Sequence, residues 1–289
     1  MLALLLILIV VTAIRIRLLD FPLERDEGEF AYAAQLLLQG DSPYQHAYNT
    51  MLKLPGTCIA YALIMAVLGQ TTIAIHSGVI LVNLATAVLV FLLARRIYGD
   101  AAGVVAAGTY ALLSINPETL GLAAHATHFV MLPALAGILL LQDLDERTSS
   151  SRIFFAGLLL GLAVIMKQSG AAFGLFAAVW VTWCELSSEN RYWQRWFARL
   201  GWLAFGGILP FAFLCEILTL TGDFSNFWFW GVQYAQSHIS VLTFGSSLRW
   251  MLDNIINQWR SASSLWSLAL AGLIFLFFKN LCDAGDFSS

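Results

Sequence analysis

The chain has 289 residues, of which 59% are hydrophobic and only 11% charged, and its mean hydropathy is +0.76. That balance excludes an ordinary soluble domain and describes a polytopic membrane protein. A formal net charge of −3, with no basic block, points away from nucleic acid as a partner.

In chain order, residues 2–19 read as a first membrane span. Their start lacks the basic region and small-residue cleavage site of a signal peptide. Arg15 and Arg17 are placed to snorkel to the interface. Residues 23–56 then break the apolar pattern with Glu24, Arg25, Asp26, Glu27, Glu29, Asp41 and Lys53. Asp26 and Glu29 have the spacing of a capping box, which predicts a helix opening at Glu27 with Asp26 as N-cap. Phe30, Ala33, Ala34, Leu37 and Leu38 recur at helical spacing, and Gly40 is a natural stop. This helix is too short and too acidic to cross a bilayer, so it is expected along the interface.

Residues 55–68 are apolar but short. Residues 73–94 form a clear span ending at Arg95 and Arg96. Residues 101–115 form another. Residues 119–141 follow, interrupted by His125, His128 and Pro133. A polar loop over 143–152 precedes two apolar runs, 154–165 and 171–183, hinged at Lys167. A basic, aromatic loop over 185–199 leads to a span over 202–220. Residues 223–258 read as a long aromatic-rich loop with an interfacial helix over 224–234, and 265–278 are the last apolar run. Four scattered cysteines, Cys58, Cys184, Cys215 and Cys282, form neither a metal spacing nor a disulfide framework.

An acidic pair opening a short helix just after a first span resembles the first outer loop of the GT-C glycosyltransferases. The likeness is greatest to the protein O-mannosyltransferase and lipid A aminoarabinose transferase branch. The residues that carry it are Asp26-Glu27, Tyr32, and Lys53-Leu54-Pro55-Gly56, where that branch often has Lys-Pro-Pro. Arg95 to Gly99, Gly157 to Lys167 and Phe227 to Ala235 follow in the same order. The resemblance implies an all-α GT-C transmembrane domain over 1–289, lacking the C-terminal part of the family. It implies inverting transfer of a sugar from a polyprenyl-phosphate donor to a lipid, glycan or protein hydroxyl. It places that reaction at the outer face of a bacterial plasma membrane.

Topology turns on residues 55–68. If they stay in the interface, Arg95, Arg96, Arg147, Arg152, Arg191, Arg195, Arg199 and Lys279 all fall inside. If they cross, only Lys167, Arg249 and Arg260 do, against the positive-inside rule. The first arrangement has about eight spans plus interfacial helices. Charge alone also permits about nine spans with the N terminus outside, and the resemblance breaks that tie.

The resemblance makes Asp26 the general base, and a carboxylate in a partly dry cleft is a stronger base than one in water. The plainer role is the N-cap. Glu27 is the second catalytic candidate, as base, orienting group or metal ligand. Lys53 sits where the family keeps a lysine near the donor phosphate; its plainer role is snorkelling. Lys167, at the outer end of an apolar run, is a phosphate contact of the kind that charged groups at membrane depth often serve. His125 and His128 share one helix face and are further donor-phosphate candidates, although two histidines alone make no metal site. Tyr32, Trp228, Trp230, Gln233 and Tyr234 are candidates for stacking on or hydrogen bonding to a sugar or acceptor, with membrane anchoring as the plainer role. A divalent metal is compatible with these residues and not required by them.

Two other readings remain at this stage. His76, Asn83 and Lys167 are intramembrane polar groups of the kind a transporter or flippase of lipid-linked substrates uses, although the paired halves typical of transporters are missing. An inactive, truncated glycosyltransferase is the other.

The charge count makes a testable expectation about sidedness. Cysteines introduced at Gln45 and Ser149 in a cysteine-free background should differ, with only the first labelled by an impermeant thiol reagent in intact cells. Equal labelling would defeat the eight-span arrangement.

Overall fold

Backbone polar groups inside a bilayer must be satisfied within the segment that carries them, which favours helices for apolar runs. A computed structural model describes residues 2–46, 53–188, 192–234 and 244–285, and all regular structure among them is helical. The helices are α1 (Leu2–Arg17), α2 (Arg25–Gln39), α3 (Pro43–His46), α4 (Gly56–Leu68), α5 (Thr72–Tyr98), α6 (Asp100–Leu113), α7 (Ala126–Leu141), α8 (Ser150–Met166), α9 (Ala171–Leu186), α10 (Trp193–Leu220), α11 (Phe224–Trp228), α12 (Phe244–Ser261) and α13 (Ser263–Gly285). The protein is an all-α membrane protein.

Helix α5 is the central post. A reversal at Gly99, with φ +84°, folds α6 back along it, and α7 packs on its other side. Helix α8 bridges α7 to α10. Among the described residues, three helices are long and apolar enough to cross a membrane unaided, Thr72–Tyr98, Gln168–Leu186 and Trp193–Leu220. Gly245–Ser261 and Ser263–Leu276 pass that test only together, with a bend of 102° between them. Helices α1, α6, α7 and α8 have 16, 14, 16 and 17 residues. The expectation of about eight crossings therefore rests, for four of them, on helices shorter than a typical span.

Helix α4 has 13 residues, fewer than a typical span needs. Met65 near its end shares one core with Ile75 and Val79 of the first turns of α5 and with Phe30, Ala33 and Ala34 of α2. The α5 start also lies at the α1 end, where His76 Nδ1 is 2.8 Å from the Leu19 carbonyl oxygen. Helix α4 thus packs along α2 and meets the first turns of α5.

Several local expectations are corrected. Helix α2 starts two residues early, capped by Glu24 rather than Asp26. The Asp26 N–H donates to Glu24 Oε2 at 2.7 Å, and the Glu24 N–H donates to Glu27 Oε2 at 2.8 Å. Arg15 does not snorkel. It is buried and donates to the Ser114 carbonyl, and to the Gly121 carbonyl at 2.7 Å. Helix α10 begins well before its apolar run, because Arg195 and Arg199 pair at 2.9 and 2.5 Å with Glu185, which is buried at the end of α9. The helix expected over 224–234 is present as α11 and a π-helical turn (Phe229–Tyr234), whereas residues 244–258, expected as loop, belong to the amphipathic α12.

The seam between α8 and α10 is backbone against backbone. A Cβ on Gly157 would strike the Leu203 carbonyl, one on Gly161 the Gly207 carbonyl, and one on Gly206 the Phe154 carbonyl. Small residues let membrane helices approach this closely. Gly161→Leu should destabilise the protein by about 1–3 kcal/mol or prevent its folding. Gly174→Leu on α9, where a Cβ meets nothing within 4 Å, should be tolerated. Thermal unfolding in detergent distinguishes them, and equal behaviour would refute the seam.

Candidate active site

The site begins with the amphipathic pattern of α2. Its apolar residues Phe30, Ala33 and Ala34 enter the core, and that anchorage carries Glu27 inside with them, only 1% exposed. A buried carboxylate requires donors, and three are present. The Ala124 N–H donates to Oε1 at 2.5 Å, His76 Nε2 lies 3.1 Å from the same oxygen, and the Glu24 N–H donates to Oε2. Burial pushes the Glu27 pKa up, but the bonds from His76, Ala124 and Glu24 outweigh it and leave the group below its ordinary value.

The neighbouring residue faces the other way. Asp26, 21% exposed, has Lys53 Nζ at 3.2 Å and Arg25 Nη2 at 3.3 Å from Oδ1, and His125 Nε2 at 3.6 Å from Oδ2. Lys53 Nζ also donates to Glu29 Oε2 at 2.7 Å and stands 4.5 Å from the centre of the Phe30 ring. Dehydration was expected to make Asp26 a stronger base. Burial does push its pKa up, yet Lys53, Arg25 and His125 together prevail and hold it below the usual carboxylate value. Asp26 is therefore ionised, in the state a general base needs. Its side chain caps nothing, because Glu24 has taken that role.

Lys167 reaches the cluster through tight packing below it. Gly56 at the start of α4 leaves no room for a Cβ against the Ile165 carbonyl, and Thr57 Oγ1 donates to the Met166 carbonyl at 2.9 Å. These contacts bring Lys53 and Lys167 to the same end of the bundle. Burial lowers the Lys167 pKa, Asp26 raises it and Lys53 lowers it, with a net decrease. Among the described residues, no carboxylate lies within ion-pair distance of Lys167. His125 is likewise pushed down, by burial and then by Lys167, against the pull of Asp26.

Asp26, Lys53, Lys167 and His125 thus come from four separate segments to one end of the bundle. His128 does not join them. It is buried and hydrogen-bonded to the backbone at Gly121 and Ala123. Tyr32 is half exposed. Trp228 stacks on Phe224 at 6.0 Å, Trp230 packs beside Tyr44, Leu54 and Phe227, and Gln233 is exposed. The Tyr234 side chain lies outside the described residues. Of the intramembrane polar groups that suggested a transporter, His76 and Asn83 are engaged inside the protein. Asn83, for example, donates to the Val79 carbonyl at 3.0 Å and accepts from Tyr110 at 2.9 Å. Among the described residues, no three His, Cys, Asp or Glu side chains are grouped to hold a metal.

Sequence reasoning missed a cleft. A cavity of about 380 Å³ opens beside Lys53, between the α2–α3 turn, the start of α4 and the end of α10. Its walls include Ile59, Leu214, Ile217 and Leu218, and its polar rim includes Gln45 and Asp223. Gln45 Nε2 donates to Asp223 Oδ1 at 2.6 Å. The lone acid before the aromatic segment was the one available signal.

An ionised carboxylate, two lysines and an amphiphile-sized cleft at one end of a helical membrane bundle suit group transfer on a lipid-linked substrate. Residues 55–215 match the family described as dolichyl-phosphate-mannose-protein mannosyltransferase. The chain belongs to this family. It is a membrane glycosyltransferase of the GT-C type. The match covers His76, His125 and Lys167 and begins just after Lys53, so the loop that carries Asp26 precedes it. No curated protein and no solved structure matches the chain.

The depressed Glu27 pKa has a consequence for stability. A carboxylate with a folded-state pKa below its ordinary 4.5 contributes stability that is complete above that pH. The contribution is lost as pH falls through the folded value. The melting temperature of the wild type should therefore fall on acidification below pH 4.5 more steeply than that of Glu27→Gln. Parallel slopes would show that Glu27 is not held ionised by these bonds.

Proposed function

We propose that this mannosyltransferase-family protein transfers a sugar from a polyprenyl-phosphate donor to a hydroxyl acceptor on lipid, glycan or protein, with inversion. The reaction takes place at the outer face of a bacterial plasma membrane. The observation that carries this reading is the meeting of ionised Asp26 with His125, Lys167 and Lys53, the last of which also lines a cleft with one apolar wall.

Asp26 takes the proton from the acceptor hydroxyl as its oxygen attacks the anomeric carbon. The bond from that carbon to the phosphate oxygen breaks on the opposite side, and polyprenyl phosphate leaves with the electron pair. Its growing negative charge needs fixed cations nearby. Lys167, which has no carboxylate within ion-pair distance among the described residues, suits that role. Lys53 already holds Asp26 and Glu29, so it both keeps the base ionised and flanks the phosphate. The wall of Ile59, Leu214, Ile217 and Leu218 suits a prenyl chain running from Lys53 into the bilayer.

Asp26→Asn tests the base. With dolichyl-phosphate-mannose as donor, turnover should fall by about 10²–10⁴-fold. Melting temperature should hardly change, since Glu24 caps α2. Asp26→Ala should behave alike. Wild-type turnover in Asp26→Asn would remove Asp26 from the mechanism.

A further inference from the structure

The Asp26–His125 contact joins two segments almost a hundred residues apart. Something must fix their separation, because a base misplaced by about 1 Å can lose about 10²-fold in rate. The residues just beside that contact supply the answer. Glu27 follows Asp26, Ala124 precedes His125, and the Ala124 N–H donates to Glu27 Oε1 at 2.5 Å. The Ala124 carbonyl is captured as well, by the Tyr61 hydroxyl at 2.6 Å. Both polar groups of one residue are therefore held by side chains of α2 and α4.

Glu27 is in turn held from below. His76, on the first turns of α5, has Nδ1 2.8 Å from the Leu19 carbonyl oxygen and Nε2 3.1 Å from Glu27 Oε1. A carbonyl and a carboxylate only accept hydrogen bonds, so both ring nitrogens face acceptors. The imidazole is 8% exposed. It thus forms a continuous polar link from the end of α1, through α5, to the carboxylate next to the base.

We propose that His76 is a positioning residue for the transfer reaction, acting through Glu27 and Ala124 to hold His125 against Asp26. Glu27 then acts as the middle of this brace, not as a second base. This inference rests on Asp26 being the base, but its physical content is the coupling between Asp26 and His125, which can be measured without turnover.

The test uses the full chain in detergent with carbon-13-labelled histidine rings. The chain has five histidines, so the His125 signal is assignable by single replacement. Asp26 raises the His125 pKa, so Asp26→Asn should move the His125 titration to lower pH in the wild-type background. In the His76→Phe background that displacement should vanish, and likewise in Glu27→Gln if His76→Phe fails to fold. Mannose transfer from dolichyl-phosphate-mannose should fall by about 10²-fold in either variant. Adding His125→Ala should cost little more in those backgrounds. The same downward displacement of His125 in wild-type and folded variant backgrounds overturns the proposal. So does a transfer loss that adds fully to that of His125→Ala. Full turnover by Asp26→Asn with the coupling intact would instead sink the base assignment and leave the brace standing.

Discussion

A carboxylate pulled into an apolar bundle must find donors or lose its charge, and Glu27 shows how far that requirement reaches. One donor comes from its own helix start, one from the first turns of α5, and one from the segment ahead of α7. No single one of these elements could satisfy it. Satisfying it therefore assembles this end of the protein. The same demand explains Arg15, whose guanidinium is dissolved in the carbonyls of Ser114 and Gly121 instead of reaching the interface. Together the two buried charges grip the segment between α6 and α7 from opposite ends. The exposed chemistry is mounted on that grip.

The division between neighbours on α2 follows from helix geometry. Successive residues point about 100° apart, so one of two adjacent acids can be buried while the other faces outward. Asp26 and Glu27 look equivalent in the sequence, and the core decides between them. Phe30, Ala33 and Ala34 turn the Glu27 side inward. Asp26 is left at the boundary, where lysine and arginine can reach it.

Which parts of this were legible beforehand depends on range. The apolar runs, the Gly40 stop and the candidacy of Asp26, Lys53, His125 and Lys167 could be argued from composition, local spacing and family likeness. The α2 cap was misplaced because Asp ranks far above Glu as an N-cap. In the structure the longer Glu24 side chain still reaches back to the Asp26 N–H. His76 and Arg15 were unreadable, since a polar residue in an apolar run does not announce a partner dozens of positions away. Helix α12 was read as loop because its polar face dilutes its hydropathy, although Leu248, Met251, Leu252, Ile255, Ile256 and Trp259 recur at helical spacing. The cleft beside Lys53 forms only where three distant segments meet, and a sequence contains no trace of empty space.

The short helices have a mechanical meaning. At 1.5 Å per residue, helices of 14 to 17 residues reach only about 21–26 Å, against a hydrocarbon core of about 30 Å. A crossing by α6, α7 or α8 would require the lipid beside it to compress, or the loops at its ends to sink below the head groups. Either way such a crossing makes a waist thinner than its surroundings. Lys167 and His125 stand at the ends of those short helices, where a compressed leaflet would carry its phosphates. A lipid diffusing in the plane would meet the lysines without leaving the membrane.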